Sequence, residues 1–126
     1  MLFYFDTSYP PKLVECIELL YTNSGAPDIE IVRGDQNKLL QNIDRSVVFL
    51  FDHKKRGVSL TTKHHAEKGC KVFAFKRKEN VQFNFFSFSL TILSAWNNIL
   101  KEVESANEPF VCTIYNGSQR VNRNKI

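Results

Sequence analysis

The sequence has no glycine-rich phosphate loop. Its five glycines are scattered, and neither GxGxxG nor GxxxxGKS/T occurs, which argues against a dinucleotide-binding or P-loop fold. GxSxG is absent too, and Thr7 and Ser8 have no evident partner for nucleophilic catalysis. Cysteine is scarce: Cys16, Cys70 and Cys112 are odd in number, far apart and set in apolar segments. They read as reduced packing residues, not as disulfides or a zinc site. The most apolar later stretch, 83–96, is broken by Asn84, Ser87, Ser89, Thr91 and Ser94, too short and too polar to cross a bilayer. The N-terminus lacks the basic region and long apolar core of a signal peptide. The expectation is a soluble, cytoplasmic protein with no membrane partner.

What is present suits one packed core. The 126 residues are 43% apolar and include 11 phenylalanines, enough for a single domain. Short apolar runs bounded by polar residues read as strands: Leu2–Phe5, Ile29–Val32, Val47–Phe51, Val72–Phe75 and Phe110–Ile114. Between them, helices are predicted over Pro11–Tyr21, over a short segment starting near Asp35 (Leu39, Leu40, Ile43), over Ser59–Lys68 and over Phe85–Ser105. The last would bury Leu90, Leu93, Trp96, Ile99, Leu100 and Val103, as core residues and not as a base-stacking platform. Ser59–Lys68 has little apolar surface and reads as peripheral. Alternating strands and helices predict a central, mainly parallel five-stranded sheet in a three-layer α/β/α fold, with right-handed crossovers restricting the topology. The domain is expected over residues 1–116, followed by a frayed basic tail over 117–126.

In such a sheet, ligands bind at the carboxyl ends of the strands. Asp6, Asp35 and Asp52 each follow a predicted strand and belong to that edge. Asp28 and Asp44 precede strands and belong to the other. Three converging carboxylates repel one another unless a cation or a shared proton offsets them. Oxygen donors of this kind suit Mg²⁺ or Mn²⁺, and such a metal stabilises charge on a phosphodiester. The bland reading is that strand-end aspartates are turn formers, with Asp35 a helix cap. The net charge is +4, and Lys54, Lys55 and Arg56 follow Asp52 directly, with Lys76 after the fourth strand. These could hold substrate phosphates; the alternative is ordinary solvated surface. His53, His64 and His65 read as surface residues; the last two are adjacent and do not share a helix face.

The segments FYFDTSYPPKL and GDQNKLLQNIDRSVVFLFD resemble the compact PIN-like domains of VapC toxins. The likeness continues through GCKVFAF and LSAWNNILKEVESANEPFVCTIYNGSQ. It implies a PIN-like fold, Mg²⁺- or Mn²⁺-dependent cleavage of RNA at Asp6, Asp35 and Asp52, and a cognate antitoxin protein that blocks the site; a homodimer is left open. Departures from the family pattern are Lys38 and Leu39 where a tryptophan is usual, and Leu50 and Phe51 where Thr or Ser precedes the third aspartate. A fourth acid is also missing, with Glu67 and Glu79 poor substitutes. Two other classes of function compete. One is a PIN-like module with weakened catalysis that binds RNA or a protein. The other is a receiver-like domain phosphorylated on Asp52, although Asp6 is not an acidic pair and no Lys-Pro follows the fifth strand.

Overall fold

The structure is a computed structural model, and it describes residues 1–24, 29–35, 46–77 and 84–124. Its elements are β1 (Leu2–Asp6), α1 (Pro11–Ser24), β2 (Glu30–Gly34), β3 (Val47–Phe51), α2 (Leu60–Glu67), β4 (Lys71–Lys76), α3 (Phe85–Ser105), β5 (Phe110–Tyr115) and β6 (Asn122–Asn124). The predicted helix after Asp35 falls outside the described residues.

The strands form one sheet in the order β2-β1-β3-β4-β5-β6. The first five are parallel, and β6 runs antiparallel to β5. The fold is thus α/β with a mainly parallel sheet, but with six strands rather than the expected five. The sixth comes from the segment expected to fray. Its polar residues have specific partners: Arg123 pairs with Glu102 at 2.7 Å and lies 4.8 Å over the Phe110 ring, and the Asn124 amide donates to the Thr113 hydroxyl. Apolar patterning cannot report a strand held this way.

Strand alternation sends side chains to two unlike faces. Phe3, Phe5, Val47, Phe49, Phe73, Phe75, Phe110, Cys112 and Ile114 pack on one face against Leu13, Val14 and Ile17 of α1 and Phe88, Ile92, Ala95, Ile99 and Val103 of α3. Tyr4, Val48, Leu50, Val72, Ala74 and Val111 pack on the other, under Ala66 of α2. The first face is ring on ring: Phe5 stacks on Phe49 at 4.4 Å and Phe49 on Phe73 at 5.2 Å. Each fully buried large side chain there contributes roughly 1.5–3 kcal/mol of transfer free energy. The Trp96 indole donates to the Tyr21 hydroxyl at 2.8 Å, tying α3 to α1. The stripe of α3 includes the predicted Ile99 and Val103, with Leu93, Trp96 and Leu100 packed at its margin, but its first half is rotated. Phe88, Thr91, Ile92 and Ala95 are buried while Leu90 is exposed and Leu93, Trp96 and Leu100 are half-buried. The helix sets the Phe88 ring on Phe51 and Phe75 and the Trp96 indole against Phe3, Phe5 and Phe49, and fills the space between with smaller and β-branched residues.

The crossovers do not share one hand. The connection through α1 runs one way along the sheet, with α1 on the aromatic face. The connection through α2 runs the opposite way on the opposite face, so the two have the same hand. The connection through α3 runs the same way as that of α2 but on the aromatic face, and so has the other hand. Right-handed connections are the rule in roughly 98% of cases. The 21-residue α3 carries an apolar stripe that packs on the rings of β3, β4 and β5 from the aromatic face.

Two local features lock the edges. Tyr4 lies over Gly34, and a side chain at that position would overlap its hydroxyl. Gly69, at φ 103°, ends α2 in a conformation that favours glycine.

Candidate functional site at the carboxyl edge of the sheet

β1 lies between β2 and β3, so the chain reverses its direction of travel across β1. The crevice at the carboxyl ends of β1 and β3 is therefore a topological switch point, where open α/β sheets bind ligands. Asp6 ends β1, and Asp52 follows β3. Phe5 pairs with Phe49, so Asp6 is level with Leu50, and Asp52 stands two residues further along the neighbouring strand. By alternation both carboxylates lie on the α2 face.

Asp6 is half-buried. Its Oδ2 accepts from the Ser8 backbone N–H at 3.1 Å and from the Ser8 hydroxyl, and its carbonyl accepts from Tyr9 N at 2.9 Å. Asp6 therefore shapes the turn into α1, as the bland reading expects, yet Oδ1 takes no donor among the described residues. Arg33, a lone cation near the end of β2 with no sequence signal of its role, pins the same turn by donating to the Tyr9 and Thr7 carbonyls at 2.8 and 2.7 Å. Asp35 is exposed; its carbonyl accepts the Tyr4 hydroxyl at 2.7 Å. The Tyr4 phenol is pushed up by burial, and further by the charges of Asp35 and Asp6. Both acids are thus within electrostatic reach of one hydroxyl.

Asp52 is only 4% exposed. Its Oδ1 accepts Lys54 N at 2.9 Å, and its Oδ2 accepts Ser59 N at 2.8 Å and the Thr62 hydroxyl at 2.6 Å. Burial pushes its pKa up, but the bonds from Thr62, Ser59 and Lys54 outweigh this and hold the carboxyl below its ordinary value. It thereby anchors the start of α2, where the Ser59 hydroxyl accepts Thr62 N as N-cap. A carboxylate so enclosed is poorly presented for accepting a phosphoryl group.

Lys76 is buried, not displayed. Its ammonium donates to the carbonyls of Lys54, at 2.9 Å, and Gly57. It holds the loop from beneath, while Lys54, Lys55 and Arg56 are exposed on it. His53 is exposed, with its ring 6.3 Å from that of Phe51 and 17° from parallel. His65, expected at the surface, is fully buried. Neither ring nitrogen has a partner among the described residues. Burial, then His64, lowers its pKa, with Asp6 opposing. The expectation failed because α2 presents Thr62, His65 and Ala66 to the sheet, a buried face that apolar periodicity does not reveal. Cys70 and Cys112 are buried, their thiols pushed up to about 11 and about 12 by desolvation, which leaves them inert as nucleophiles; Cys16 is exposed instead of packed.

Among the described residues no group of three or more His, Cys, Asp or Glu side chains is placed to hold a metal. The donors therefore do not form an all-protein cage. A water-rich Mg²⁺ or Mn²⁺ site commonly uses one or two carboxylates with waters and substrate phosphates; of the two here, Asp6 is the open one and Asp52 the enclosed one. Asp6 Oδ1 accepts nothing among the described residues, and Asp52 Oδ1 accepts one N–H. No helix among the described residues is long and apolar enough to cross a membrane. Comparison with protein-family models, with curated proteins and with solved structures finds no match.

Proposed function

We propose that the chain is a metal-dependent ribonuclease of PIN-like type, cytoplasmic, and the toxin of a type II toxin–antitoxin pair. The observation that carries the reading is the placement of Asp6 and Asp52. They stand on adjacent parallel strands, on one face, at the switch point, beside a loop that exposes Lys54, Lys55 and Arg56. Asp6 Oδ1 and Asp52 Oδ1 would hold Mg²⁺ or Mn²⁺ with waters, and Asp35 would reach it through solvent. The metal would supply Lewis acidity toward a phosphodiester oxygen. The chain's own residues bind and orient: the loop cations take the flanking phosphates, and Ser8 and Arg33 fix the turn that carries Asp6. The antitoxin follows from the sequence resemblance alone.

The test is cleavage of a mixed RNA in Mn²⁺, in Mg²⁺ and in EDTA by the wild type and by Asp6→Asn. Asp6 is a cleaner probe than Asp52, whose replacement also frees the α2 start. Cleavage that requires metal and falls at least about a hundredfold in Asp6→Asn supports the reading. Equal cleavage by both proteins contradicts it.

A second reading has an observation of its own. The Asp52 carboxylate already accepts from Lys54, Ser59 and Thr62, which favours a PIN-like module that binds RNA or a protein without turnover. RNA retained without metal-dependent cleavage would select it.

A further inference from the structure

We propose that the carboxyl edge carries a stacking surface for single-stranded RNA, formed by Phe85, Phe86 and His53 beside the cations of the β3–α2 loop. The proposal rests on the ribonuclease reading and adds how substrate would be gripped and which form it takes.

The α3 stripe that covers the aromatic face does not stop at the sheet. Phe88 is fully buried, 5.0 Å from the Phe51 ring and 4.6 Å from that of Phe75. Phe85 is one turn earlier on the same side of the helix, and Phe86 is next to it. They are 59% and 74% exposed. The Asn84 side chain accepts from Phe86 N at 2.8 Å and Ser87 N at 3.2 Å, which fixes the helix start and hence the origin of both rings. Phe51 links this helix end to the loop: it touches Phe88 on one side, and the exposed His53 ring lies nearly parallel to it on another.

Single exposed apolar residues need no explanation. Here two phenylalanines at the start of α3 and an imidazole on the β3–α2 loop stand at the same carboxyl edge, bridged by Phe51 and Phe88, and Lys54, Lys55 and Arg56 follow that imidazole on its loop. The loop backbone is held in advance: Lys54 N bonds to Asp52, and the Lys54 and Gly57 carbonyls bond to the buried Lys76 ammonium. Cations on a fixed backbone match a chain of phosphates, and flat rings match bases whose faces are free. Duplex RNA hides those faces and offers phosphates and 2′-hydroxyls instead, so the surface selects single strands.

The test is binding of a fluorescein-labelled twelve-nucleotide mixed-sequence RNA (about one site's length) in EDTA, read by anisotropy, with the same strand annealed to its complement as comparison. The wild type should prefer the single strand. Phe85→Ala/Phe86→Ala should weaken single-strand binding at least about fivefold and leave duplex binding unchanged. Lys54→Ala and Arg56→Ala should weaken both forms and each flatten the salt dependence by about one phosphate contact. The Phe86→Trp variant should show quenching of its new indole on addition of RNA. Equal binding of single strand by the wild type and the double alanine variant, or an unquenched indole in the RNA-bound Phe86→Trp variant, overturns the proposal. Binding with this pattern but without cleavage in Mn²⁺ would refute the nuclease and leave the surface standing; cleavage without this pattern would do the reverse.

Discussion

The two faces of the sheet are built on different physics. The face under α1 and α3 is almost all carbon, with Phe5, Phe49 and Phe73 stacked in series. The face under α2 has an aliphatic middle, but its carboxyl end buries Asp52, Thr62, His65 and Lys76. Apolar burial is non-directional and tolerates small shifts. Buried polar groups need partners in fixed places. One face therefore contributes stability, and the other fixes the positions of charges at the edge where a ligand would bind.

Breaking the aromatic face should have the largest effect on stability. Phe49→Ala removes the ring shared by Phe3, Phe5, Tyr9 and Phe73, and should cost about 3–5 kcal/mol in denaturant unfolding. A cost under about 1 kcal/mol would mean that the stack is not central to the core. On the other face, Asp52→Ala strands the N–H groups of Lys54 and Ser59 and the Thr62 hydroxyl. It should cost about 2–3 kcal/mol, with fast amide exchange confined to the loop and the first turn of α2. Uniform loss of protection across the sheet would show instead that Asp52 supports the whole core.

The smallest effect sharpens the contrast. His65 has no partner for either nitrogen among the described residues, so His65→Leu should be neutral or stabilising by up to about 1 kcal/mol at about pH 8. The pH dependence carries a sign. The folded-state pKa of His65 is lowered from 6.5, so the unfolded chain takes up the proton first. Stability is full above about 6.5 and is lost as pH falls through the window from there to the folded value. Asp52 is lowered from 3.8, and its contribution is lost in a second, more acidic window. Unfolding curves from about pH 8 to about pH 4 should show the first loss in wild type and not in His65→Leu; equal slopes in both would disprove it.

The sequence conveyed most of the aromatic face and little of the polar one. The strands and α3 were legible because phenylalanine-rich runs and a long amphipathic stripe leave a periodic trace. Asp6, Asp35 and Asp52 could be assigned to the carboxyl edge from strand direction alone. Hidden from that reading was what each buried polar group bonds to. Lys76 looked like a phosphate ligand and proved to hold loop carbonyls. His65 looked solvated and is enclosed, and Arg123 and Asn124 looked like tail residues and complete a strand. These depend on partners distant in the chain, which composition and periodicity do not encode. Ser59 and Thr62 did leave a trace, as a capping residue and a hydroxyl at helical spacing after a strand-end aspartate.

The proposed metal site requires Asp6 and Asp52 to act together at one cation. Calorimetric titration of Mn²⁺ into the wild type and into Asp6→Asn tests this most directly. The account predicts a saturable site in the wild type that weakens at least about tenfold in Asp6→Asn while the fold is retained. Equal Mn²⁺ affinity in the two proteins, or no saturable binding to the wild type, would contradict it.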